Sequence, residues 1–153
     1  MIDTREGWLR ALDGLLAGAD RLVRIKDHDL RGQGWESPVR PALLEDFLRG
    51  ARSRRVEILL HRDDYLTGHL PLLMRLLRDY NRQMEIRVYE TLPPSEMAYA
   101  LGDDRMLLYR HRSDAWAGRF SMDDPAGVIA LTDRFQADWA RIAGGLPYTP
   151  LGL

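Results

Sequence analysis

Apolar positions along the chain alternate between two periods, one near 3.6 residues and one of 2. In TREGWLRALDGLLAGA, Trp8, Leu9, Leu12, Leu15 and Leu16 recur at helical spacing, with Asp3 or Thr4 as the cap and Gly18 as the stop. DRLVRIKDHDL then reads as a strand over about 21–27, carrying Leu22, Val23 and Ile25 and ending in Asp27-His28-Asp29. RGQGWESPVR is loop. A second helix is predicted over about 41–52, with Pro41 in its first turn and Leu43, Leu44, Phe47 and Leu48 as its stripe. RRVEILLHR is the second strand, and its nearly unbroken VEILL centre predicts burial on both faces. A third helix, over about 65–81, carries Leu66, Leu70, Leu73, Leu76, Leu77 and Tyr80; because Pro71 belongs in a first turn, the helix proper is expected to begin near Gly68 or His69. MEIRVYE alternates as the third strand, and TLPPSE breaks the chain. SEMAYALGDDRMLLYR reads as two strands around a tight Gly102-Asp103-Asp104 turn. The final helix opens at Asp124-Pro125 and places Phe135 and Trp139 one turn apart, and the tail LPYTPLGL is irregular.

The resulting order, α-β-α-β-α-β-β-β-α, defines the class. Strands that alternate with helices call for parallel βαβ units, whereas the short Gly-Asp-Asp connection forces an antiparallel hairpin. The expectation is an α/β three-layer sandwich whose mixed, mostly parallel sheet ends in an antiparallel hairpin. Residues 1–19 form an N-terminal helix packed on a single domain over 20–153. In such sheets the ligand crevice lies beyond the carboxyl ends of the parallel strands.

With 153 residues, 45% hydrophobic and 29% charged, the chain suits one globular domain with a real core. Its 22 basic and 23 acidic residues nearly cancel, so no global field draws nucleic acid or an anionic membrane, and a nucleic-acid partner is not expected. Lysine occurs once, at Lys26; every other basic residue is arginine. The absence of cysteine excludes disulfides, thiolate metal sites and a cysteine nucleophile. No apolar run approaches the roughly 20 residues of a membrane span, and the acidic N-terminus does not resemble a secretory leader. The sequence therefore reads as cytoplasmic, with no membrane partner.

Candidate chemistry clusters where strands end. His28, within Asp27-His28-Asp29, closes the first strand, and His61, within His61-Arg62-Asp63-Asp64, closes the second. If those strands are neighbours, two imidazoles and nearby carboxylates converge as an acid–base pair or a metal site. The plainer reading is solvated loop residues, with Asp63, Asp64 or Thr67 capping the third helix; the spacing fits no known metal motif, so neither metal nor cofactor is expected. His69 opens that helix, where free N–H groups beside Gly68 suit an anion. Arg110-His111-Arg112 is a basic trio that suits a phosphate or simply faces water. Gly32-x-Gly34 lacks the third glycine of a dinucleotide loop, and there is no phosphate-binding loop or nucleophile elbow. Asp103 and Asp104 are read as hairpin-turn residues, and Asp123 and Asp124 as helix caps.

The arrangement of PALLEDFLRGARSRRVEILL, MEIRVYE, the ALGDDRMLLYR hairpin and the LTDRFQADW helix, over roughly residues 20–142, resembles one half of the phospholipase D-like superfamily, most closely a bacterial branch of small domains. Active members of that superfamily carry His-x-Lys-x-x-x-x-Asp on the first hairpin strand, usually with a Gly-Ser and an Asn further on. The His is the nucleophile toward a phosphodiester and the Lys holds the phosphate; two such motifs meet within one chain or across a homodimer. Here, with Asp104 as the acid, Met97 and Tyr99 occupy the His and Lys places; with Asp103, Glu96 and Ala98 do. Ser121 and Asp123 fall where the Ser and Asn would come. The resemblance thus implies the fold with the reaction lost, a binding, regulatory or protein-interaction module and an expected homodimer. The partner would be another protein or a small anionic ligand. Candidate ligand-binding residues are His28, His61, His69 and Arg110, and the catalytic candidates are His28, His61 and Asp104. The alternative is a hydrolase or other enzyme built on His28 and His61 with Asp27, Asp29 or Asp63.

Overall fold

The computed structural model describes residues 1–89, 96–142 and 144–146. The sequence elements TLPPSE, apart from Glu96, and LPYTPLGL, apart from Leu146, lie outside these. The chain runs α1 (Arg5–Gly18), β1 (Leu22–Asp27), α2 (Val39–Arg49), β2 (Arg55–Leu60), α3 (Asp64–His69), α4 (Pro71–Asp79), β3 (Met84–Val88), β4 (Ala98–Gly102), β5 (Met106–Arg110), β6 (Gly118–Ser121) and α5 (Pro125–Ala140). The strands form one mixed sheet in the order β3-β2-β1-β4-β5-β6. β1 and β3 lie parallel to β2, whereas β4, β5 and β6 form an antiparallel meander beside β1.

Two elements differ from expectation. The third helix is two helices, because Pro71 lacks an N–H and disfavours α geometry at Leu70, which sits at φ −119° and ψ 63°. The meander gains β6, a short strand whose pattern is too mixed to read, so antiparallel pairings outnumber the parallel ones.

The helices divide unequally over the sheet. On one face, α1 presents Trp8, Leu12, Leu15 and Leu16, α2 presents Leu44, Phe47 and Leu48, and α4 presents Leu73, Leu76 and Leu77. They join Val23, Ile25, Val56, Ile58, Ile86, Ala100 and Leu108 in one large core, so α1 belongs to the same core as the sheet. Alternation sends Leu59, Tyr99, Leu101 and Leu107 to the other face, where α5 covers them with Val128 and Phe135. That smaller core shares its face with a ladder of ions. Arg24 bonds Glu57 at 2.9 Å, Arg55 bonds Glu57 at 3.0 Å and Glu85 at 2.9 Å, and Arg87 bonds Glu85 at 2.7 Å. Arg87 also lies 4.4 Å over the Trp139 ring of α5. β2 is thus buried on both faces, one apolar and one partly ionic.

Helix ends follow local chemistry. Thr4 Oγ1 accepts the Gly7 N–H at 3.0 Å, and Asp124 accepts the Gly127 N–H at 3.0 Å ahead of Pro125. Asp63 stands at the N-cap of α3 but makes no side-chain cap bond; Thr67 instead donates to the Asp63 carbonyl.

The hairpin turn resolves its two acids. Asp103 adopts φ +56°, and its carboxylate accepts the N–H groups of Asp20, Arg21 and Leu22 at 2.7–3.2 Å, fastening the entry of β1. Asp104 points into solvent, 3.7 Å from Arg21. Asp103→Ala is therefore expected to lower stability by about 1–3 kcal/mol, by leaving these donors without their acceptor. Asp104→Ala is expected to stay within about 0.5 kcal/mol. Urea unfolding of both variants checks the contrast, and equal effects would contradict it.

Candidate functional site

The carboxyl ends of β1 and β2 carry the chemistry. β1 is flanked by parallel β2 and antiparallel β4, so its last residues sit where the sheet changes direction. Asp27 ends β1 facing the large core. Its Oδ1 accepts from Arg110 at 2.7 Å and its Oδ2 from the Leu30 N–H at 2.8 Å, both fully buried. The guanidinium lies against two adjoining indoles, 4.8 Å from Trp8 and 4.4 Å from Trp116, and a second nitrogen reaches the Ala115 carbonyl at 3.3 Å. A planar, weakly hydrated cation against aromatic faces suits arginine and not lysine. This pair joins the end of β1 to the end of β5 across β4.

One residue further, the His28 carbonyl accepts the N–H groups of His61 and Arg62 at 2.9 and 3.0 Å, extending the β1–β2 pairing past the strands. The two imidazoles consequently meet edge to face, with ring centres 5.7 Å apart. His61 is buried and His28 half-buried. Of their neighbouring acids, Asp27 is engaged by Arg110 and Asp29 by the Arg31 N–H. Among the described residues, no group of three or more His, Asp or Glu side chains is arranged to hold a metal ion.

The remaining candidates separate. His69 ends α3, one residue ahead of the Leu70 N-cap of α4, and its ring meets Tyr65 in a tilted contact at 4.8 Å. Tyr65 in turn bonds Glu36 and underlies Arg31. Arg110 is withdrawn from solvent into its pair with Asp27. The basic trio therefore divides, with Arg112 bonding Asp114 and His111 meeting the Tyr109 hydroxyl at 3.2 Å. Asp104 lies at the opposite end of the sheet, beyond Gly102, which pairs with Val23 at the start of β1. It shares no site with His28 and His61. Ser121 accepts the Asp123 N–H, a local turn bond.

A pair that sequence reasoning passed over lies on the α5 face. Lys26 and Tyr99 are directly opposite in the β1–β4 register and are each only 1% exposed. The Lys26 nitrogen lies 5.8 Å from the centre of the Tyr99 ring. Among the described residues neither Lys26 Nζ nor Tyr99 Oη has a hydrogen-bond partner. Burial pulls the Lys26 pKa below its ordinary value, against the fields of Glu96 and Asp138 and with that of Arg134. Burial likewise holds the Tyr99 phenol in its protonated form, well above its ordinary range. The available signal was a single lysine in an otherwise all-arginine chain, placed within a buried strand.

The fold is phospholipase D-like. The chain is similar to Nuc from Salmonella typhimurium, a phospholipase D family member, with a TM-score of 0.66 and 11% identity, covering 96% of this chain and 97% of that one. It is similar to NucT from Helicobacter pylori with a TM-score of 0.59 and 12% identity, covering 92% of each chain. It also resembles TrmBL2, an archaeal chromatin protein that binds DNA, with a TM-score of 0.68 and 11% identity; the match covers 94% of this chain but 53% of TrmBL2, about half its length. At these identities the likeness concerns the fold alone. Residues 4–144 match the family described as a domain of unknown function, DUF7931, and the chain belongs to that family. No curated protein matches it in sequence. No helix among the described residues is long and apolar enough to cross a membrane.

A buried amine without a partner is destabilising, so Lys26→Met is expected to raise stability at neutral pH by about 1–3 kcal/mol. Because the folded pKa lies below the ordinary 10.5, the unfolded chain binds more protons between the two values. Wild-type stability therefore rises with pH through that window, and the advantage of the variant shrinks toward pH 10.5. Urea unfolding across pH measures both; a less stable variant would contradict the reading.

Proposed function

We propose that this domain does not use the phosphodiesterase chemistry associated with its fold and acts as a binding, regulatory or protein-interaction module. The observation that carries this reading is the occupancy of the motif places on β4 and just before it. Met97 and Tyr99 stand where a nucleophilic His and a phosphate-holding Lys would be required; Tyr99 is buried under α5, and Asp104 faces water at the far end of the hairpin. A thioether and a protonated phenol supply neither a nucleophile at neutral pH nor a cation. The partner is a second protein or a small anionic ligand, and a homodimer through the surface where active relatives pair their motifs belongs to the same proposal. DNA binding by TrmBL2 is not extended to this chain, whose net charge is −1 and whose arginines are largely paired with acids across the sheet and surface.

A second reading rests on one specific observation, the meeting of the His28 and His61 rings at the carboxyl ends of β1 and β2. Two imidazoles at that distance can act as base and orienting group in a hydrolase or other enzyme.

The purified protein is expected to leave a generic chromogenic phosphodiester unhydrolysed. Hydrolysis that disappears in Asp104→Ala would overturn the module reading in favour of the superfamily mechanism. Hydrolysis of any ester or phosphoester substrate that survives Asp104→Ala but is lost in His28→Gln would instead favour the imidazole pair.

A further inference from the structure

Lysine and arginine are not equivalent cations, and this chain separates them sharply. Apart from histidine, arginine fills every other basic position, including the buried Arg40 and Arg110; at Arg110 the fixed charge meets a carboxylate and two indoles. Only at position 26 does a lysine occur, and there the side chain is 1% exposed and has no ion-pair or hydrogen-bond partner among the described residues. A guanidinium cannot shed its proton in a protein, whereas a buried amine does so readily. An oxyanion site would be served as well or better by arginine. A position that holds the one deprotonatable cation suits a task needing a neutral nitrogen lone pair.

The surroundings fit such a task. Lys26 lies at the carboxyl end of a parallel strand, the part of an α/β sheet where ligands are bound. Beside it, in register on β4, is Tyr99, whose hydroxyl is also buried and, among the described residues, has no hydrogen-bond partner. The charged groups that act on the amine are Glu96, just ahead of β4, and Asp138 and Arg134 on α5; Arg134 is tied to Glu96 at 3.2 Å. The opposing fields of Glu96 and Asp138 are outweighed by burial, with which Arg134 acts, and the uncharged amine is favoured. Two unpartnered polar groups on adjoining strands are expensive to bury, and departures of this kind concentrate at functional sites.

We propose that Lys26 is a nucleophilic amine that binds a small carbonyl compound, an aldehyde or oxo acid, as a reversible imine, with Tyr99 as the proton donor to the carbonyl oxygen. The amine lone pair adds to the carbonyl carbon as the C=O π electrons move to oxygen, which takes the phenolic proton. The nitrogen then gives up its two protons, one restoring Tyr99 and one leaving with the oxygen as water, and a C=N bond replaces C=O. No oxidant or reductant is required. This chemistry goes beyond the module reading and does not depend on it, since a covalent small-molecule site can serve a binding domain or an enzyme.

The single lysine makes the test direct. The folded protein is incubated at pH 7 with propanal or glyoxylate and sodium cyanoborohydride, which reduces an imine to a stable secondary amine. Peptide mass mapping then distinguishes Lys26 from the Met1 α-amine, the other primary amine of the chain. Lys26 is expected to be labelled at least as fast as Met1 in the folded protein. Tyr99→Phe is expected to slow labelling of Lys26 by at least about tenfold while leaving Met1 unchanged. Labelling of Met1 alone, with Lys26 reacting only after unfolding in urea, would overturn the proposal and make Lys26 a structural residue. Undiminished labelling of Lys26 in Tyr99→Phe would overturn the role of the tyrosine.

Discussion

The ion pair between Asp27 and Arg110 is the constraint on which the upper end of the sheet depends. Two charges removed from water are stable only when geometry is good and their remaining hydrogen-bonding capacity is used. Both conditions hold here: Asp27 accepts from the guanidinium and from the Leu30 N–H, while Arg110 also reaches the Ala115 carbonyl and lies against Trp8 and Trp116. The pair thereby unites α1, the loop after β1, the end of β5 and the loop before β6. It fixes the exit of the chain from β1, and that exit sets where His28 meets His61. At the opposite end, Asp103 performs the corresponding task for the entry of β1 through the N–H groups of Asp20, Arg21 and Leu22. β1 is thus held at both ends by carboxylates, with neighbours pairing along each edge.

The two faces of the sheet play different parts. Four helices bury one face in an apolar core that carries the fold. Among the described residues α5 is the helix that covers the other face, where the strands present the Arg24–Glu57–Arg55–Glu85–Arg87 ladder together with Lys26 and Tyr99. Polar residues under a helix need pairing with each other: Arg24 and Glu57 are opposite in register, whereas Glu57 and Glu85 face one another as like charges and are bridged by Arg55, with Arg87 bonding Glu85 along β3. Lys26 stands outside the ladder. Like Tyr99 beside it, it is a group on this face whose burial is not offset by a hydrogen bond among the described residues, and the proposed amine chemistry rests on that.

Much of the architecture was legible in the pattern of apolar residues. The helical stripe from Trp8 to Leu16, the strand alternation of Met84 and Ile86, and the Asp124-Pro125 helix start each express a local rule that tertiary packing then reinforces. The break at Leu70 was signalled by Pro71, but the helical stripe continues through it and the pattern alone does not divide the helix. β6 escaped because a four-residue strand holding one glycine and one arginine has no readable period. The proximity of His28 and His61 hung on whether their strands are neighbours, which the sequence leaves open and the β1–β2 pairing supplies. The fate of Arg110 was not legible, because only the three-dimensional approach of Asp27 and two distant tryptophans turns a basic trio at a strand end into one buried ion and two surface residues. Lys26 and Tyr99 are partners by β1–β4 register, which a sequence without that pairing cannot reveal.

A double-mutant cycle on the buried pair tests the central constraint most directly, with Asp27→Leu, Arg110→Met and the combined variant compared by urea unfolding at pH 7. Each single substitution is expected to lower stability by about 3–5 kcal/mol, because it leaves one buried charge uncompensated. The combined loss is expected to fall short of the sum by more than about 1.5 kcal/mol. Single losses below about 1 kcal/mol that simply add would contradict the account and place the organising contact of this domain elsewhere.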